Sequence, residues 1–135
     1  MKYGIDIKSE LAKKTFLAAR TPSTTPDEEA RTFAELGKYR DGAIYVGAFA
    51  GVSCWERHAS GDEIVQVLEG SLELTIVDGT THTLHLRAGM LAVVQSGRWH
   101  RLFAPDGVTL LTVTPLPTET SIERREGSDR TGREG

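Results

Sequence analysis

From Ala43 to Val113 the chain is a succession of short apolar-rich runs, each closed by a turn signal. "AIYVGAFA", "VSCWERH", "EIVQVLE", "LELTIV", "THTLHL", "LAVVQ", "WHRLFA" and "VTLLTV" follow one another, with Gly51, the polar turn of residues 59–62, Asp78-Gly79, Gly89 and Pro105-Asp106-Gly107 between them. "LELTIV" alternates, placing Leu72, Leu74 and Ile76 on one face and Glu73 and Thr75 on the other. Asp78-Gly79 suits a tight two-residue hairpin in which both central residues take positive φ. Strands joined this closely leave no room for crossover helices, so the pattern predicts an all-β barrel or sandwich rather than a βαβ fold.

The flanks read differently. "SELAKKTFLAAR" makes either a short helix or an extended arm. In "TPSTTPDEEARTFAEL", Thr25 is placed to cap a helix with Pro26 at its first position and Asp27, Glu28 and Glu29 at the positive end of its dipole. Phe33 and Leu36 are its expected inward residues. After Pro117 the sequence is charged and nearly free of apolar side chains, too poor in them to fold alone. The expected organisation is an N-terminal arm and short helix packing on the barrel over 1–40, the barrel over 41–116 and a flexible tail over 117–135.

The 135 residues fit one domain, and a net charge of -3 gives no reason to expect nucleic acid or an anionic membrane as partner. The single cysteine, Cys54, excludes an internal disulfide framework and fits a reducing cytoplasm. The first residues lack an apolar run of signal-peptide length, and the longest weakly polar run, "AIYVGAFAGVSCW", is too short to span a bilayer. A cytoplasmic location is expected.

Along a strand, Cys54, Glu56 and His58 share one face while Trp55 and Arg57 share the other. Glu63 opens the next strand beside the end of the one carrying His58, and "GMLAVVQSGRWH" supplies His100. Two imidazoles and two carboxylates can converge inside a barrel. His58 and Glu63 are otherwise a polar pair at its mouth, and Glu56 is otherwise a partner for Arg98 or Arg101. Cys54 lines the pocket or is a small buried hydrophobe. His82 and His85 lie on opposite faces of one hairpin strand, Asp62 suits a turn cap, and Trp55 and Trp99 are free to pack on the N-terminal segment or on a second subunit.

At these residues the chain resembles the cupins, small double-stranded jelly-roll barrels marked by two motifs. The first is glycine, five residues, His-x-His, three or four residues, glutamate, six residues, glycine. His58, Glu63 and Gly70 match it, Glu56 stands where the first histidine belongs, and the opening glycine falls one position off at Gly51. The second is glycine, five residues, proline, one residue, glycine, two residues, histidine, three residues, asparagine. Gly89, Gly97 and His100 match, while Gln95 replaces the proline and Ala104 the asparagine.

The resemblance implies a barrel of the RmlC-like kind, commonly a homodimer, and a divalent metal held by Glu56, His58, Glu63 and His100, with Cys54 and Gln95 lining the pocket. Imidazole with carboxylate suits Fe2+, Mn2+, Ni2+ or Zn2+. It further implies a metal-dependent enzyme of the dioxygenase, isomerase or lyase kind acting on a small polar molecule. The alternative it leaves open is a non-enzymatic, metal-free barrel that binds a small ligand or sugar.

Overall fold

A computed structural model describes residues 3–126. Two short helices, α1 (Ile7–Ala12) and α2 (Pro26–Thr32), are interleaved at the N-terminus with strands β1 (Leu17–Arg20) and β2 (Ala34–Tyr39). The rest is β3 (Gly42–Val52), β4 (Trp55–Arg57), β5 (Glu63–Asp78), β6 (Thr80–Arg87), β7 (Leu91–Val94), β8 (Trp99–Pro115) and β9 (Glu119–Ser121). Among these residues no helix is long and apolar enough to cross a membrane.

All nine strands belong to one sheet, with β8 at its centre between β3 and β4, and with β5 pairing β6, β7 and β8. The two longest strands shape it. β5 and β8 pair antiparallel twice, residues 64–70 against 108–113 and residues 73–77 against 99–103, and the register shifts between the two stretches. Gly70 sits at that break with φ +81°, where an added Cβ would run into the carbonyl oxygen of Gly107. The sheet therefore bends at one place in both strands and wraps its apolar face, as expected of the all-β jelly-roll barrel.

Phe49, Val65, Val67, Leu72, Leu74, Val94, Leu102, Val108 and Leu110 fill the inside, with Leu17, Phe33 and Ile76 packed against them. Burying each side chain of that size contributes about 1.5–3 kcal/mol before conformational entropy is charged against it. The alternation read in "LELTIV" holds for Leu72 and Leu74, which are buried with Glu73 and Thr75 half-buried, and it ends there, because Ile76 is half-buried and Val77 is buried against the tryptophans. At the hairpin only Gly79 has positive φ, so the turn is not the doubly left-handed one that Asp78-Gly79 suggested.

The N-terminal helix over Pro26–Thr32 carries the anticipated cap. Thr25 Oγ1 accepts from the Glu28 N–H while the Glu28 carboxylate accepts from the Thr25 N–H. It ends sooner than expected, because Phe33 turns extended at φ −101°, ψ 127°. Phe33 still packs inward, its ring 6.2 Å from that of Phe49, but Leu36 lies half-buried in β2 rather than on a helix. The "SELAKKTFLAAR" segment is both things at once, its first half α1 and its last part β1.

The segment after Pro117 does more than its composition suggested. β9 pairs with β4, Trp55 opposite Ser121 and Arg57 opposite Glu119, with an Arg57–Glu119 ion pair. Trp55, Val77 and Trp99 form a second buried cluster. The guanidinium of Arg57 lies 4.7 Å from the Trp99 ring and that of Arg101 4.7 Å from Trp55. Trp55 thus lies beside β9 and Arg101, and Trp99 beside Arg57. Of the predicted tail, residues 127–135 lie outside the described ones.

Candidate metal centre

β4 places Glu56 directly opposite His100 of β8, and His58 follows at the end of β4. Glu63 opens β5, paired with Val94. Strand pairing brings the side chains of Glu56, His58 and His100 together, and Glu63 lies beside the two imidazoles though outside that group of three. His58, Glu63 and His100 are buried, and Glu56 is half-buried.

The ligand atoms of Glu56, His58 and His100 all lie within 4.8 Å of one another. Glu63 Oε1 is 3.0 Å from His100 Nε2 and 3.2 Å from His58 Nε2. Two ligands at right angles on a metal, each at ~2.1 Å from it, are about 3.0 Å apart, so these spacings suit cis ligands as well as hydrogen bonds. The tautomers separate the two. His100 Nδ1 is 3.0 Å from the Arg98 carbonyl, which only accepts, so Nδ1 carries a proton and donates it. Nε2 of His100 then meets Glu63 Oε1 either as an imidazolium N–H or as a lone pair facing a lone pair across a shared cation. His58 Nε2 is buried and 3.2 Å from the same oxygen, and it makes no well-formed hydrogen bond among the described residues. A cation satisfies both imidazoles at once, so the donor set fits a divalent metal.

Outer contacts hold these side chains. Glu63 Oε2 accepts from Thr114 Oγ1 at 2.7 Å, and Thr114 is joined to Thr112 at 2.8 Å. His58 Nδ1 is 3.1 Å from Thr118 Oγ1. Hydrogen bonds of this kind orient metal ligands and fix their tautomers. Burial alone would raise the Glu63 carboxyl, but the two imidazoles facing it, His100 foremost, hold it down at about 2. Burial opposes a charged His100, and the Glu63 carboxylate outweighs it, raising that imidazole above its usual range. Burial and then the nearby Glu63 charge push Glu56 upward. Without a cation one of the two carboxylates is therefore driven toward its neutral form; a divalent ion removes the reason.

The site opens on a cavity of about 180 Å3 lined by Glu56, His58 and Glu63 at one end and by Phe33, Leu102 and Leu110 among its apolar walls. Cys54 and Gln95 do not line it. Gln95 follows the inward Val94, so parity turns its side chain outward to solvent, while its backbone carbonyl accepts from the Arg98 N–H in the turn. Cys54 is half-buried ahead of β4. Glu56 is not paired with Arg98 or Arg101: Arg98 is 2.8 Å from Asp78, and Arg101 lies over Trp55. Asp62 accepts from the Ser96 N–H at 2.9 Å, tying its turn to the one after β7 instead of capping its own. His82 and His85 are exposed on β6.

Three residues of this region escape the motif reading. Thr112 and Thr114 are polar at inward positions of "VTLLTVTP", a period-two signal that alternation with Leu110 carries. Arg20, on β1, lines the cavity too, and no spacing in the sequence links it to the site.

The profile of the cupin domain matches residues 45–114. A search of curated protein sequences finds no match. Among solved structures the chain is similar to an uncharacterised protein with a double-stranded β-helix domain from Klebsiella pneumoniae, at 15% identity and a TM-score of 0.63 over 90% of this chain and 98% of that one. It is similar to a cupin-2 domain protein from Shewanella frigidimarina, at 24% identity and a TM-score of 0.55 over 63% of this chain and 80% of the other. It is also similar to a hydroquinone 1,2-dioxygenase from Sphingomonas with 4-hydroxybenzoate bound, at 19% identity and a TM-score of 0.52 over 65% of each chain. These likenesses are of fold, and with a profile match over more than half its length the chain belongs to the cupin family.

Proposed function

We propose that this cupin is a metal-dependent enzyme acting on a small polar molecule. His58 and His100 would hold a divalent cation with Glu63 and Glu56 as the carboxylate ligands. Imidazole with carboxylate suits iron(II), manganese(II), nickel(II) or zinc. Such an ion supplies Lewis acidity and, for iron, manganese or nickel, redox chemistry. The chain's own contribution is positional: Thr114 orients Glu63, Thr118 and the Arg98 carbonyl orient the imidazoles, and the apolar walls limit water around the reacting end. Supporting the reading is one observation above the rest, the buried His58 Nε2 that lacks a hydrogen bond while facing an occupied carboxylate oxygen. A dioxygenase among the structural neighbours keeps oxidative chemistry among the candidate reactions, beside isomerisation and lyase chemistry.

The closed contact between Glu63 and His100 favours a second reading, a metal-free barrel whose polar cluster binds a small ligand by hydrogen bonds. Metal content by mass spectrometry separates the two, on untagged protein purified without chelator, beside His58→Ala and His100→Ala. Near one equivalent of one of these metals per chain, lost in both variants, is the expected result. Background metal in all three proteins, unchanged after reconstitution with each ion, overturns the enzyme reading in favour of the second.

A further inference from the structure

Arg20 ends β1, opposite Gly51 of β3, and its side chain is only 5% exposed. Its guanidinium lies 5.0 Å from the Phe33 ring centre and 4.5 Å from that of Phe49. Nε and Nη2 donate to the two carboxylate oxygens of Glu29, at 2.8 and 2.7 Å. Nη1 is buried and has no hydrogen-bond partner among the described residues. A guanidinium nitrogen left unpaired at such depth is unfavourable, and a bound acceptor removes that penalty.

Arg20 borders the same cavity as Glu56, His58 and Glu63, and it is the only lysine or arginine among the residues lining it. Phe33, Leu102, Leu110 and Leu116 line it as well, with the half-buried Tyr45. The lining thus combines the Arg20–Glu29 ion pair, with one guanidinium nitrogen still unpartnered, several apolar side chains and the imidazole-carboxylate cluster. At about 180 Å3 it is little larger than the ~150 Å3 cavity that accepts a benzene ring.

We propose that Arg20 is the specificity residue of this cavity and that it selects a small organic acid, its free Nη1 donating to one carboxylate oxygen while the acid's apolar body lies along Phe33, Leu102 and Leu110. A carboxylate is the strongest acceptor a guanidinium meets, and with Nε and Nη2 taken by Glu29 the third nitrogen is the one left to donate. The inference deepens the reading of the cavity as a substrate site, and it does not need the metal.

The test uses the full chain and two matched pairs of probes, benzoate against benzamide and acetate against acetamide, titrated at constant ionic strength and followed by amide chemical shifts. In the wild type at least one carboxylate is expected to bind about 10-fold or more tighter than its amide, as for a charge-assisted hydrogen bond. Arg20→Gln is expected to bring the two members of that pair level. Since Arg20→Gln also removes the Glu29 contact, Glu29→Gln serves as the second variant. It breaks the same ion pair but leaves the guanidinium and removes a competing negative charge, so it is expected to tighten carboxylate binding. Equal binding of acid and amide, a preference that survives Arg20→Gln, a loss in Glu29→Gln as large as in Arg20→Gln, or no saturable binding of any probe overturns the proposal. Running the titrations on metal-free and Zn2+-treated protein separates it from the metal reading. An Arg20-dependent preference in a chain that takes up no Zn2+ leaves this inference standing alone, and Zn2+ uptake without that preference overturns it alone.

Discussion

Glu63 uses both oxygens, one toward two imidazoles and the other toward a threonine hydroxyl. Thr114→Val keeps the shape of that side chain and removes the hydroxyl, leaving a buried carboxylate oxygen short of its donor. The loss is expected to cost about 1–3 kcal/mol in the metal-free protein, read by urea denaturation, and about 10–100-fold in metal affinity. A stability unchanged within a few tenths of a kcal/mol would mean that solvent replaces the hydroxyl. Cys54 gives a different kind of check. Burial, reinforced by the Glu56 charge, pushes its thiol up to about 11. Only the thiolate reacts, so alkylation of the metal-free folded protein at pH 8 is expected to run on the order of 100-fold slower than in denaturant. A comparable rate would show that the thiol is open and its environment polar. The residues of the cluster were legible because motif spacing and strand parity both report on them. Glu56 is the instructive case, since parity aimed it inward despite its mismatch with the motif. Gln95 was misread through the motif alone, and parity from Val94 would have corrected it.

The short elements of the N-terminus bear on the site through Arg20 and Glu29. α2 carries Glu29, and its start depends on the reciprocal bonds between Thr25 and Glu28. Thr25→Ala is expected to destabilise the protein by about 1 kcal/mol and to loosen Glu29 from Arg20, seen as faster exchange of the α2 amides. β1 is held against β3 at Gly51, which has φ +114° and no room for a Cβ beside the Arg20 carbonyl. Gly51→Ala is therefore expected to displace β1 and cost about 1–3 kcal/mol. Unaltered stability together with unaltered Arg20-dependent carboxylate binding would show that the parallel pairing is dispensable. How these elements meet the site could not be read from spacing. The cap of α2 was visible because it is local, four residues in a row. The pairing of β1 with β3 joins residues some thirty apart, and nothing in "FLAAR" specifies its partner. β9 was hidden for the same reason: three polar residues form a strand only because β4 offers them an edge.

A barrel that buries two carboxylates beside two imidazoles holds an electrostatic conflict that a bound cation would relieve. The apolar residues from Phe49 to Leu110 fold without help from the site, so the metal-free chain is expected to be folded rather than to await its ion. Metal binding then adds to stability by mass action alone, about 2.7 kcal/mol when the free ion is at 100 times its Kd. For a chain of this length that corresponds to a rise of about 10 °C in Tm. His100→Ala removes one imidazole and the partner of Glu63, and Glu56→Gln removes the charge of the one carboxylate that no hydrogen bond holds among the described residues. The first is expected to abolish the rise. The second is expected to shrink it if Glu56 ligates and to leave it whole if Glu63 alone completes the set. Thermal unfolding of wild type and both variants across a metal titration therefore decides the ligand count, since the three curves diverge in a different order for each arrangement. A Tm in the wild type that does not move with any of the four metals would mean that the imidazole pair is satisfied by a proton shared with Glu63, and that the cavity works without an ion.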